Sequence, residues 1–144
     1  MFENFEDFEP LYFLDFSEEI LQKSDSFGVN QTTIKRIAYN RIYFATFLFV
    51  REWLKMHWKY KSSRRDHTQM FNFIRSKGPF NQNLNTKISD NLRLLKRLRH
   101  QVDYYISIPD ADELNEKWEK TSIEAAFELA ESIIGYFEEY GFKN

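Results

Sequence analysis

From Gln31 to Tyr60 the chain contains neither glycine nor proline, and apolar side chains recur throughout. Its most apolar part is the run "IYFATFLFV", 42–50. Taken alone, such a run fits a buried strand as well as a buried helix. Here Lys and Arg flank the segment and no turn signal interrupts it, so a helix is predicted. A helix this apolar belongs at the centre of a bundle, covered on most sides. A second long helix is predicted from about Leu84 to Tyr105, where Leu95, Leu98, Val102 and Tyr105 gather on one side. A third is predicted over about 113–140, with Trp118, Ile123, Phe127, Leu129, Ile133, Ile134 and Phe137 as its apolar stripe.

The connections carry matching signals. Gly28 and Asn30 mark a turn, "KYKSSRRD" (59–66) reads as a polar connection, and Asp66 is placed to cap a helix over 67–76. "SKGPFNQN" (76–83) is a break, Pro109 closes the second long helix, and Asp110 or Asp112 can cap the last. Gly141 stands where a C-cap is expected. A short helix fits 15–27, with Glu18 and Glu19 in its first turn to complement the helix dipole. Residues 1–14, with Phe2, Phe5 and Phe8 among acids, read as an acidic aromatic arm. The expectation is an all-α bundle of four main helices plus a short one, over residues 15–144.

Length and composition sharpen this. A chain of 144 residues fits one domain with a real core, and fifteen Phe and eight Tyr make that core bulky. Cysteine is absent, which removes disulfides and thiolate metal sites. No apolar run approaches the roughly 18 residues of a membrane span. The acidic start "MFENFEDFEP" does not resemble a signal peptide, so a cytoplasmic protein is expected. The net charge of −2 conceals a partition: residues 31–100 carry +13, residues 1–30 carry −7 and residues 101–144 carry −8. Either the basic middle meets a polyanion, or the acidic ends fold against it.

Much of that positive charge lies in "LRLLKRLRHQVDYY", 92–105. On a helix, Arg93, Arg97, His100 and Tyr104 share the side opposite the apolar stripe, at i, i+4, i+7 and i+11. Arg99 and Asp103 lie four apart on a flank, where they can pair. Guanidinium groups bind phosphate oxygens through a planar fork. An imidazole titrates near neutrality and can exchange the proton of a 2′-hydroxyl attack. The stripe therefore suits RNA, or it is the solvated face of an ordinary helix. His57, His67 and His100 are scattered, so no metal site is expected and no cofactor is implied.

Two segments also resemble a known family. "NRIYFATFLFVREWL" (40–54) is similar to the signature "SRAYYAxFHAAxALL" of HEPN domains (higher eukaryote and prokaryote nucleotide-binding), matching at Arg41, Tyr43, Phe44, Ala45 and Phe47. "RLRHQVDYY" (97–105) resembles the "LRxxADY" segment of a late helix in the same domains, matching at Leu98, Arg99, Asp103 and Tyr104. The resemblance spans about residues 15–140. It implies a helical bundle that dimerises, and in many members a metal-independent endoribonuclease serving as toxin or in antiviral defence. The family's catalytic pattern is Arg, four to six residues, then His; Arg93 and His100 satisfy it.

Nuclease members usually carry a polar residue after that Arg, where this chain has Leu94. If Arg99 is the matching arginine instead, Tyr104 lies five positions on and the histidine is missing. That branch includes non-catalytic partners of small nucleotidyltransferases and of larger defence complexes. In the nuclease reading Arg93 and His100 are catalytic, and Lys96, Arg97, Arg99 and Arg41 hold RNA phosphate. Asp103 and Tyr104 are interface residues, or Tyr104 accepts a nucleotide modification, as the resemblance implies. His67, near a helix start, reads as a local structural residue.

Overall fold

The computed structural model describes residues 19, 31–62, 66–106 and 123–143, with the backbone alone at 31–35, 102–106 and 141–143. Among the described residues there are four helices: α1 (Gln31–His57), α2 (Asp66–Lys77), α3 (Gln82–Ile106) and α4 (Ile123–Lys143). The protein is an all-α bundle, as the periodicity predicts. The acidic arm 1–14, the short helix over 15–27, the caps Asp110 and Asp112, and the segment 113–122 lie outside the described residues.

The α1 helix is central. Ala38, Tyr39, Ile42, Tyr43, Ala45, Phe47, Phe49, Val50, Trp53 and Leu54 are all buried, which covers most of its circumference. It packs against α3 on one side and α4 on the other, while α2 packs on α3. Each fully buried aliphatic or Phe side chain contributes about 1.5–3 kcal/mol, so this helix anchors the fold. Thr46, buried mid-helix, satisfies its hydroxyl by donating to the Ile42 carbonyl at 2.8 Å. From α3, Ile88, Leu92, Leu95 and Leu98 face the core; α4 supplies Ala126, Ala130, Ile133, Ile134 and Phe137.

At the far end of the bundle, Trp53, Trp58, Phe80, Phe137 and Tyr140 pack edge to face. Lys59 takes a left-handed conformation (φ 55°) after α1, and the Tyr60 amide returns to the Leu54 carbonyl at 3.1 Å. The Trp58 indole donates to the Lys77 carbonyl at 2.7 Å, tying the end of α1 to the end of α2.

The α2–α3 turn fixes the geometry that matters for function. Asn81 caps α3 through its Oδ1, which accepts the Leu84 amide at 2.9 Å. Buried Asn85 then sews the turn shut. Its amide nitrogen donates to the Gly78 and Phe80 carbonyls at 3.1 and 2.9 Å, and its oxygen accepts the Phe80 amide at 3.0 Å. Ser89, also buried, donates to the Phe71 carbonyl at 2.9 Å. These contacts hold α2 antiparallel against α3.

Two local expectations are corrected. Gly141 does not end α4, which continues through it to Lys143. A terminal glycine costs a helix only about 1 kcal/mol and no proline follows to enforce a stop. Asp66 is the first residue of α2 and does not act as a cap. Its carboxylate is drawn into the protein, where Oδ1 accepts the Tyr60 hydroxyl and Oδ2 has no hydrogen-bond partner. Among the described residues, no helix is long and apolar enough to cross a membrane.

A Cβ at Gly78 would lie within 3.0 Å of both the Ile74 carbonyl oxygen and the Asn85 side chain. Gly78→Ala should therefore break the Asn85 network at a cost of about 2–3 kcal/mol. Thermal denaturation should show a melting temperature lower by roughly 5–10 °C. An unchanged melting temperature would mean that the turn relaxes freely.

Candidate phosphate-binding groove

Spacing on α3 determines the site. Arg93, Lys96, Arg97 and His100 stand at i, i+3, i+4 and i+7, so they share one face, and the outer two are about 10 Å apart along the axis. Because α2 packs against α3 here, that face becomes one wall of an open groove of about 410 Å³. The same four residues line it together with Thr68, Phe71 and Gln101. Among the described residues no carboxylate lines it, which concentrates positive charge there.

Arg93 is positioned without being neutralised. Its Nη2 donates to the Asn72 Oδ1 at 2.5 Å, and its guanidinium carbon lies 5.5 Å from the centroid of the buried Phe71 ring. Both partners are uncharged, so the positive charge stays available. The acids of the basic segment are engaged elsewhere. Glu52 pairs with Arg51 and Lys55, Asp90 with Arg75, and Asp66 lies 3.6 Å from Arg51.

The groove also separates residues that the sequence left together. Arg99 is not among its lining residues. Its guanidinium packs against two adjoining rings of α1, 5.2 Å from the Tyr43 centroid and 4.7 Å from that of Phe44. Its Nε is buried and has no hydrogen-bond partner. Packing there takes its Nε out of water, and the ring faces compensate in part. Arg41 is exposed on α1 and is also not a lining residue. The side chains of Asp103 and Tyr104 lie outside the described residues, so their expected pairing and roles do too.

Beside the groove, the structure adds a cluster that spacing did not reveal. The His67 ring stacks on Phe47 at 4.0 Å with an interplanar angle of 8°, and the Tyr43 hydroxyl hydrogen-bonds to His67 Nδ1. Burial pushes the His67 imidazole below its ordinary value of 6.5, and the charges of Lys96 and Arg99 push it the same way, against Asp66. Burial raises the Tyr43 phenol well above its ordinary range, with Arg99 opposing. Tyr43 therefore stays protonated and His67 neutral. The residue read as structural is indeed packed, yet it adjoins Thr68 on the groove wall. Only the helix start at Asp66 hinted at this position. Asn72 and Phe71 had no sequence signal, because their role depends on the α2–α3 packing.

Among the described residues, no group of three His, Asp or Glu is placed to hold a metal ion. No family model, curated protein or solved structure matches this chain.

The lowered His67 value has a pH consequence. The unfolded chain binds that proton near pH 6.5 and the folded one resists it, so stability is full above this value and falls as pH drops through it. Melting temperatures at pH 7.5 and 5.5 should differ for the wild type, and less so for His67→Gln. Equal pH dependence in both would remove His67 as the source.

Proposed function

We propose that this chain is a HEPN-like RNA-binding protein whose α3 groove holds the phosphate backbone and cleaves it in a homodimer. The observation that carries this reading is the shared groove: Arg93 and His100 line it together, with Lys96 and Arg97 between them. Of the two possible registers of the family motif, that of Arg93 keeps both members on one cleft. The Arg99 register would assign catalysis to a guanidinium packed against Tyr43 and Phe44.

The chemistry needs no group beyond side chains. The 2′-hydroxyl oxygen attacks its neighbouring phosphorus, the bond from phosphorus to the 5′ oxygen breaks, and a cyclic phosphate and a free 5′-hydroxyl result. A neutral His100 takes the 2′ proton, and a protonated imidazole returns one to the departing oxygen. One chain offers one such histidine in the groove, so the second copy supplies the other. Arg93, Lys96 and Arg97 stabilise the extra charge that develops on the phosphoryl oxygens. Leu94, 37% exposed, lies on the same helix face as Arg97 and Gln101, three and seven positions on. A second copy packing on that apolar residue would bring its own groove alongside.

The same Leu94 favours a second reading, in which the protein binds without cutting. Nuclease members of the family resembled carry a polar residue there, and non-catalytic members serve a small nucleotidyltransferase or a larger defence complex.

RNA incubated in EDTA with wild type, Arg93→Ala and His100→Ala separates the two. Cleavage by the wild type, reduced at least 100-fold in both variants, is expected, on the order of what general acid–base catalysis supplies. Equal cleavage by all three would locate the activity elsewhere. RNA bound but uncut by the wild type would establish the non-catalytic reading. Arg97→Ala should lower the slope of log affinity against log salt by about 0.7 for a single strand.

A further inference from the structure

Phe44 stands apart among the aromatic side chains described on α1. Tyr39, Tyr43, Phe47, Phe49 and Trp53 of the same helix are all but inaccessible, whereas Phe44 is 38% exposed. The Arg99 guanidinium lies 4.7 Å from its ring centroid and 5.2 Å from that of Tyr43, and the two rings are themselves 5.5 Å apart. The His67 ring meets Phe44 edge-on, with centroids 6.4 Å apart. What remains open is the ring surface that Arg99 does not cover. Arg99 thus meets the neighbouring Tyr43 and Phe44 rings together, and part of the Phe44 ring is left at the surface.

Two neighbours of that ring lead to the groove. Lys96 lines the groove and stands three residues before Arg99 on α3, close enough to act electrostatically on His67. Thr68, on the opposite wall, directly follows His67. A polymer with its backbone along Arg93, Lys96 and Arg97 therefore has Phe44 beside it. An apolar protein surface would have to desolvate Lys96 and Arg99 to reach the ring. A nucleotide instead brings a flat π system for the ring and an anion for the cations.

We propose that the outward face of Phe44 is a stacking subsite for one unpaired nucleobase whose neighbouring phosphate lies over Lys96. This rests on the RNA reading above and adds a requirement to it: the substrate is single-stranded where it crosses the groove. In a duplex the base would be paired and stacked on its own neighbours, leaving no free π face.

The test compares two probes at one salt concentration by fluorescence anisotropy: a 12-nucleotide oligouridylate and an abasic ribose-phosphate oligomer of about the same length. Wild type should bind the base-bearing probe about ten-fold more tightly. Phe44→Leu should abolish that preference while leaving the abasic affinity unchanged, and Phe44→Trp should retain it. A preference that survives Phe44→Leu, or a variant that loses both affinities equally, would overturn the subsite. So would a change of association state in sedimentation with the preference intact, which would make Phe44 a contact between copies. Failure of the wild type to bind either oligomer would overturn the phosphate groove itself, a result visible before any variant is made.

Discussion

A helix that carries Tyr39, Ile42, Tyr43, Phe47, Phe49, Val50, Trp53 and Leu54 cannot stand in water, and enclosing it decides the rest of the structure. An amphipathic helix needs one neighbour; α1 needs several. The α3 and α4 helices take its two long sides, and the stretch of α1 from Tyr43 to Phe47 is sealed by His67 and Phe71 from α2. That demand draws α2 onto α3, and the cleft between those two helices is the groove. The site is thus a by-product of core closure, with its floor, Phe71, belonging to both.

On that scaffold α3 carries a charge arrangement that folding does not require. Arg93 and Arg97 are four apart, and like charges at this spacing disfavour a helix by about 0.2–0.5 kcal/mol per pair. The segment 31–100 contains three acids, Glu52, Asp66 and Asp90, and each is committed to Arg51, Lys55 or Arg75. Arg93 is instead steadied by a neutral amide and an aromatic ring. A structural arginine is ordinarily neutralised by the carboxylate that orients it; here orientation and neutralisation are separated. That separation suits binding an anion, since a cation already paired has little left to offer.

The broad architecture was legible in the sequence because it depends on local order. Uninterrupted apolar residues marked α1, the glycine and proline of "SKGPF" marked the hairpin, and the i, i+4, i+7 spacing placed Arg93, Arg97 and His100 together. What escaped depended on contacts between elements. Asp66 has the local signature of a cap, but Tyr60 and Arg51 in the folded chain compete for its carboxylate and win it. Gly141 looks like a stop, yet nothing beside it enforces one and α4 runs on. His67 was one of three scattered histidines until Phe47 and Tyr43, twenty or more residues earlier, closed around it. Arg99 looked equivalent to Arg93 and Arg97 on composition, and only the approach of α1 set it apart.

The contrast between Arg93 and Arg99 carries furthest. Both are cations on one helix, six residues apart, so each is rotated by about 120° from the other. That rotation faces Arg93 toward α2, where its partner is polar and the space in front is open. It faces Arg99 toward α1, where the guanidinium packs on two adjoining rings and its Nε is buried. Arg99 thereby joins α3 to α1 through these rings. Arg93, with solvent before it, keeps the freedom to meet a phosphate. One helix thereby divides its arginines between one packed on rings and one open to solvent, and the division follows from where the aromatic side chains of α1 end.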